Sequence, residues 1–415
     1  MAYTLISMLG TGNKTEKNKE GYSVTDYSFN NTSHFTTRLF LQAVLKSRKD
    51  INQIILLGTN TSSWDYLVDA VNDEREETFS LWSDLYDQCE SKEKGVSPIG
   101  VTRENLNKLE KYLSERFGLE FVIEFHTHKI DDSTSLELFK CYTDVTKKVK
   151  DGNNILFDIT HGFRSMPVLL YQALQYSLSK SSDRDVEIIY GELDSLDKSK
   201  GYARSLSSYW KYSELSAALD VFESKLDGSR LADLIEKEGI WEKGSKAIKR
   251  FTEIVQTNFA LQIFEVAKQI KNAIAVYPEN APSYLSQVKG FLAEIVLMID
   301  ENDKPHSLYR YSKFLYEHKL NVQAVITLQI AVEVAVVQEY GTEADLGDYD
   351  WYKDVGKKKI YREDSLKNLE YFRNQVAHGG NKNRETGGFP NAANISNIYA
   401  SGKRGVENLF KELGL

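Results

Sequence analysis

The chain has 415 residues, 41% hydrophobic and 27% charged, with a net charge of −8. That is room for two or three domains, each burying a core, and it excludes a wholly disordered or fibrous chain. Two cysteines without CxxC spacing, Cys89 and Cys141, exclude a disulfide scaffold, and the acidic balance argues against a protein that coats nucleic acid by charge. The N-terminus has no basic segment and no long apolar run, so no signal peptide is expected. The apolar stretch Val322 to Val337 approaches a membrane span. Gln323, Gln329 and Glu333 interrupt it, and a buried core helix is expected instead. These features predict a cytoplasmic protein with no membrane contact.

In chain order, Tyr3 to Leu9 reads as a strand broken by Gly10-Thr11-Gly12. Tyr22 to Phe29 suits a short strand pair, and Ser33 the N-cap of a helix over Phe35 to Lys46. Gln53 to Leu57 is a second core strand, ended by Gly58-Thr59-Asn60. Helical patterns follow near Trp64 to Glu90 and Arg103 to Phe117. A strand over Glu120 to Phe125, a helix over Leu136 to Val149 and a strand over Asn154 to Ile159 come next. Val168 to Leu178 is a helix and Val186 to Tyr190 a last strand. Apolar strands alternating with helices predict a mostly parallel sheet covered on both faces, a Rossmann-like α/β domain. Beyond Ser207 the strand signal vanishes. Apolar residues from Ile248 to Tyr277 recur every three or four positions, predicting one long helix stopped by Pro278. Helices over Tyr284 to Ile299, Ser307 to Glu317, Val322 to Tyr340, Ser365 to His378 and Val406 to Leu413 complete an all-α half. Gly379 to Asn397 is the expected long loop.

Three segments carry candidate chemistry. Gly10-Thr11-Gly12 ends a strand, where amides and a hydroxyl can approach a phosphate. The third glycine of a dinucleotide fingerprint is missing, since Thr15 stands there, and a plain tight turn is the other reading. Thr59-Asn60-Thr61 lies at the same sheet edge, and ligands of open α/β sheets bind beyond the carboxyl ends of strands. Asp158-Ile159-Thr160-His161-Gly162-Phe163-Arg164-Ser165 is richer. A buried strand delivers Asp158, Thr160 and His161 to a glycine turn, and Pro167 suits the first turn of the next helix. Thr160, His161, Arg164 and the helix's free amides can hold a phosphate or a base edge. Asp158 and Thr160 can equally cap the helix and tie down the turn.

Asp158-Ile159-Thr160-His161-Gly162, with the opening Leu5-Ile6-Ser7-Met8-Leu9-Gly10-Thr11-Gly12, resembles the DxTHG-motif group of CRISPR-associated Rossmann-fold (CARF) proteins. The resemblance implies a domain that senses cyclic oligoadenylate, the second messenger of type III CRISPR systems. It also implies a symmetric site formed by two chains and lined by the loops after the first and fourth core strands.

The third segment, Tyr371-Phe372-Arg373-Asn374-Gln375-Val376-Ala377-His378-Gly379-Gly380, ends a helix whose buried face is Leu366, Leu369, Phe372 and Val376. Asn374 and His378 share a face, while Arg373 stands about 140° from His378 at roughly 100° per residue. Two copies meeting at a two-fold axis could aim both at one atom. His can move a proton near neutral pH, Arg can clamp a phosphate, and neither role needs a metal. Polar residues favouring the helix's C-terminal dipole are the plainer reading. The motif resembles the RNxxxH form of the HEPN ribonuclease signature. That resemblance implies metal-independent endonuclease action with Arg373, Asn374 and His378 at a site completed by dimerisation. Between Lys353 and Arg384 nine basic residues face four acidic ones, +5 within a chain of −8, which suits RNA or a solvated face. His126-Thr127-His128 lacks a third metal ligand nearby, and Glu333 suits a paired core or interface carboxylate.

Together these readings give an α/β CARF-like domain over residues 1–205, a helical connecting region over 206–300 and a HEPN-like domain over 301–415. The expected protein is a homodimer that binds cyclic oligoadenylate, tetra-adenylate first, through Gly10, Thr11, Gly12, Thr59, Asn60, Asp158, Thr160, His161, Gly162 and Arg164. It then cleaves single-stranded RNA and uses no cofactor or metal. The rivals are a sensor whose helical half only dimerises or recruits a partner, a ring nuclease that cuts its own cyclic ligand, and a nicotinamide-dependent oxidoreductase.

Overall fold

The computed structural model describes residues 1–11, 22–30, 32–69, 76–89, 99–126, 134–162, 165–178, 184–342, 345, 349–360, 363–377 and 394–415. The chain divides into two units, Met1–Tyr212 and Ser213–Leu415.

In the first unit the elements run β1 (Tyr3–Leu9), β2 (Thr25–Phe29), β3 (Ser33–Thr37), α1 (Phe40–Ser47), β4 (Ile51–Thr59), α2 (Asp65–Asp69), α3 (Glu76–Cys89) and α4 (Arg103–Phe117). They continue with β5 (Glu120–His126), α5 (Ser135–Thr146), β6 (Asn154–Asp158), α6 (Ser165–Leu178), β7 (Val186–Leu193) and β8 (Lys200–Ser205). The eight strands form one sheet in the order β3-β2-β8-β7-β6-β1-β4-β5. From β5 to β7 all neighbours are parallel. β1 and β6 are buried almost throughout, as the apolar runs of central parallel strands require. After β1 the chain lays down the edge pair β2 and β3, then comes back to place β4 and β5 on one side of β1. It then returns to the other side of β1 to lay down β6 and β7. The order therefore reverses between β1 and β6, the place where open α/β sheets leave a crevice for ligands.

Two expectations fail at the sheet's far edge. Ser33 does not cap a helix: Ser33–Thr37 is a strand paired antiparallel with β2, and the helix begins at Phe40. Thr36 and Thr37 are β-branched and favour extended backbone, and the Phe35 ring meets Phe29 at 5.6 Å. The strand over Val186 to Tyr190 is not the last. β8 turns back antiparallel to β7 and runs parallel to β2. Its sequence, Lys-Gly-Tyr-Ala-Arg-Ser, carries no apolar run because much of it stays exposed.

α7 (Ser207–Lys225) contains the boundary between the units. The second unit then holds α8 (Ser229–Glu238), α9 (Glu242–Thr257), α10 (Ile263–Ala275), α11 (Ser283–Leu297), α12 (Lys304–Glu317) and α13 (Asn321–Tyr340). After α14 (Tyr349–Trp351), a π-helical turn (Tyr352–Gly356) and α15 (Lys357–Ile360) come α16 (Asp364–Ala377) and α17 (Ile395–Glu412). A single apolar core runs from Leu215 to Phe410. α13 is long and apolar enough to cross a membrane, and eleven of its residues are buried within this unit. The long helix expected from Ile248 to Tyr277 is two. Asn258 adopts the left-handed conformation (φ 56°), a 3-10 turn follows at Ala260–Gln262, and α10 starts afresh. Asn tolerates that conformation, and the apolar period continues through it, so periodicity alone does not reveal the break.

Candidate functional site

The sheet brings the first two motifs together at its switch point. Ser7 and Asp158 are register partners on β1 and β6, and the Ser7 hydroxyl donates to Asp158 Oδ2 at 2.7 Å. Asp158 is fully buried, and its other oxygen accepts the Thr160 amide at 2.9 Å. Thr160 Oγ1 accepts the Gly191 amide at 2.8 Å, tying the turn to β7. The turn then reaches Gly162, whose φ of 119° suits glycine. A Cβ on Gly10 would lie 3.1 Å from the Gly162 nitrogen, so the loops after β1 and β6 meet backbone to backbone.

His161 leans the other way. Its Nε2 accepts the amide of Phe40, the first residue of α1, at 3.3 Å, and its ring meets Tyr22 edge-on at 5.1 Å. An accepting Nε2 is unprotonated, which places the ring proton on Nδ1. Burial pushes the His161 pKa below its ordinary value, and nearby Asp158 opposes this. The loop after β4 joins through two serines that the sequence reading passed over. Ser62 Oγ donates to Leu9 O at 2.6 Å, and Ser63 donates its amide to Gly10 O at 3.0 Å and its hydroxyl to Thr11 O at 2.8 Å. Thr59 donates its amide to Ser62 Oγ at 2.8 Å. Asn60 bridges His126 and Val101 through its backbone, and its Oδ1 is buried with no hydrogen-bond partner among the described residues. Tyr22 also donates to Gly10 O, at 3.1 Å. The polar run Thr59 to Ser63 at a strand end was the signal for the serines; Tyr22 gave none. Gly12 and Arg164 lie outside the described residues. The loops after β1, β4 and β6 thus meet at the switch point, with Thr11 exposed at their edge.

In the helical unit, Leu366, Leu369 and Phe372 bury one face of α16. Arg373 and Asn374 stand on the partly exposed side. Arg373 Nη1 donates to Asn374 Oδ1 at 3.1 Å and Nη2 to Glu333 Oε1 of α13 at 3.2 Å. Burial raises the Glu333 pKa and Arg373 opposes the rise. The expectation of a paired carboxylate is thus met by the arginine of the RNxxxH motif. Behind it, Gln329 Nε2 donates to Tyr352 Oη at 3.1 Å, and Tyr352 donates to Glu370 Oε2 at 3.4 Å. Glu370, 2% exposed, pairs with Lys357 at 2.9 Å. Gln329 and Tyr352 did not figure in the sequence reading as functional residues, and Lys357 and Glu370 only as charges of the Lys353–Arg384 window. His378 lies outside the described residues, as do Thr127 and His128. His126 Nε2 hydrogen-bonds the Tyr142 hydroxyl at 2.9 Å.

Residues 4–194 match the family model described as CRISPR system endoribonuclease Csx1, CARF domain. The α/β unit, with its parallel core and paired loops, thus matches a CARF domain over nearly its whole length, and the chain is similar to CRISPR-associated proteins that carry one. A relative, the CRISPR-associated protein MJ1674 of Methanocaldococcus jannaschii, is 22% identical over 409 residues, 91% of this chain and 62% of that protein. The chain thus spans less than two thirds of that relative's length. Among solved structures, Enterococcus italicus Csm6 bound to cyclic hexa-2'-fluoro-hexa-dAMP aligns over 99% of this chain and 95% of its own, at 9% identity and a TM-score of 0.41. A likeness that loose carries no argument.

Proposed function

We propose that this protein is an endoribonuclease switched on by a cyclic oligoadenylate. The observation that carries the reading is the meeting of Gly10 and Gly162 at the switch point of a CARF domain. Loops packed this closely present their backbone at the edge where open α/β sheets bind ligands, and a two-fold pair of them suits a cyclic ligand with its own symmetry. The domain is then a sensor, with tetra-adenylate the first ligand to try. Its other members are Thr11, Thr160, His161 and, outside the described residues, Gly12 and Arg164.

The helical unit supplies the nuclease. In a homodimer, Arg373 clamps the scissile phosphate of single-stranded RNA and His378 takes the proton from the adjacent 2′-hydroxyl. The 2′-oxygen bonds to phosphorus, the bond to the 5′-oxygen breaks, and that oxygen takes up a proton. The products are a 2′,3′-cyclic phosphate and a 5′-hydroxyl. Ligand binding favours the arrangement in which the two catalytic edges meet. Support for this half is the RNxxxH motif and the half-exposed guanidinium, held by Glu333 and Asn374.

The test is to incubate the full chain with labelled single-stranded RNA in EDTA and a panel of cyclic oligoadenylates. Cleavage with one ring size, leaving cyclic phosphate ends, is expected. A strict divalent-metal requirement, 5′-phosphate ends, or no response to any ring overturns the reading.

A further inference from the structure

Arg373 is anchored by a helix other than its own. Its Nη2 lies 3.2 Å from Glu333 Oε1 on α13, and its Nη1 lies 3.1 Å from Asn374 Oδ1 on α16. A guanidinium has five N–H donors in a planar fork. Two acceptors on two helices fix its plane and leave donors for a substrate. We propose that Glu333 is a positioning residue for the nuclease arginine, and that Gln329, Tyr352 and Glu370 hold Glu333 in turn; this rests on the reading of Arg373 as the phosphate clamp.

The placement of Glu333 is the first argument. Val332, Val334, Ala335 and Val336 beside it are all buried and apolar. A carboxylate in that company is costly to desolvate, and a buried ion pair is a poor way to stabilise a fold. Stability therefore does not account for it. Fixing a reactive group does, because a pre-set geometry removes the ordering a flexible arginine would undergo at each turnover.

The second layer points the same way. Gln329 lies one helical turn before Glu333. Its amide nitrogen donates to Tyr352 Oη at 3.1 Å and its side chain also hydrogen-bonds Glu333. Its own oxygen, buried, has no hydrogen-bond partner among the described residues. The amide is thus oriented toward two acceptors at the expense of its carbonyl. Tyr352 passes its proton donation to Glu370 at 3.4 Å, and Lys357 neutralises Glu370 at 2.9 Å. The titratable groups around Glu333 are Arg373 and Glu370 from α16, with Tyr352 and Lys357 reaching it through Gln329 and Glu370.

The test compares the full chain with E333Q, E333D and Y352F. Cyclic tetra-adenylate and labelled single-stranded RNA are the probes, with kcat, KM, the pH profile and melting as readouts. E333Q keeps the shape and loses the charge. It should lose about 10²-fold in kcat, the scale of a misplaced reacting group, with KM changed far less. E333D should recover part of that loss, and Y352F should lose less than E333Q. Because burial raises the folded-state pKa of Glu333 above 4.5, its stabilising contribution is present below that pH and is lost as pH rises through the folded value. E333Q should therefore melt no lower than the parent at neutral pH. Parental or higher kcat in E333Q, with the parental pH profile, overturns the inference. Should E333Q not fold, parental kcat in both E333D and Y352F overturns it as well. A parent that cleaves no RNA with any cyclic oligoadenylate overturns the nuclease reading, and this inference with it, a pattern distinct from failure in the variants alone.

Discussion

The two candidate sites are built on opposite plans. At the sensor, the motif's polar side chains are engaged inside the protein: Asp158 with Ser7 and Thr160, Thr160 with Gly191, His161 with Phe40. They shape a loop, and what the loop offers is largely backbone. At the proposed nuclease end, Arg373 is held by other side chains, Glu333 and Asn374, and stays 38% exposed. A motif can thus encode the form of a turn or the identity of a reacting group, and the two break differently under mutation.

The sharpest contrast comes from the nuclease end. His378→Ala should abolish RNA cleavage, by about 10²–10⁴-fold or more, while leaving ligand binding intact, since the proposed mechanism places proton transfer in that side chain. Near-parental cleavage rates would remove His378 from the mechanism.

At the sensor the largest effect should come from a residue with no side chain. Gly162 sits at φ 119°, and an added Cβ would lie 3.1 Å from Met8 Cβ. In Gly162→Ala, strain of roughly 1–2 kcal/mol shifts the loop and raises the ligand concentration for half-activation about tenfold. An unchanged midpoint in a ligand titration would place the sensor elsewhere.

Asp158→Asn should act on stability before function. The amide oxygen can keep the Thr160 N–H and the NH2 can donate to Ser7 Oγ, but the Ser7 hydroxyl proton then loses the acceptor it has in Asp158. The cost is about 1–3 kcal/mol, read as a lower melting temperature by about 2–4 °C per kcal/mol. An unchanged melting temperature would make Asp158 free to contact ligand instead.

The smallest effect concerns pH. The folded-state pKa of His161 is depressed below 6.5, so its contribution to stability is complete above 6.5 and is lost as pH falls through the folded value. His161→Gln should flatten melting temperature against pH in that acidic window. If both proteins show the same slope, the ring titrates as if in water.

The parallel core was legible because its signals are local: an apolar run closed by Gly10, by Gly58 or by the turn at Gly162. So was the helix that carries Arg373, by its Leu366, Leu369 and Phe372 stripe. What escaped the sequence was decided by partners far along the chain. β8 is a strand because β2 and β7 flank it, not because Lys200 to Ser205 favours one. Glu333 looked like a core carboxylate, and only the packing of α13 beside α16 showed which cation it serves. Ser62 and Ser63 read as loop residues until the β1 loop folded onto them.

The π-helical turn at Tyr352–Gly356 has a consequence for chain length. A wider turn inserts one residue relative to an α-helix, and each residue rotates the helix by about 100°. Tyr352 opens this turn and Lys357 follows it, and both meet Glu370. Between them Lys353 and Asp354 are exposed, so substitution there touches no partner in the network. Residues five apart on an α-helix stand about 140° apart, so Tyr352 and Lys357 share a face because this turn is wide, and a further residue inserted between them would swing one of them off Glu370. At this point the spacing of the residues, rather than their identity, is what the sequence must preserve.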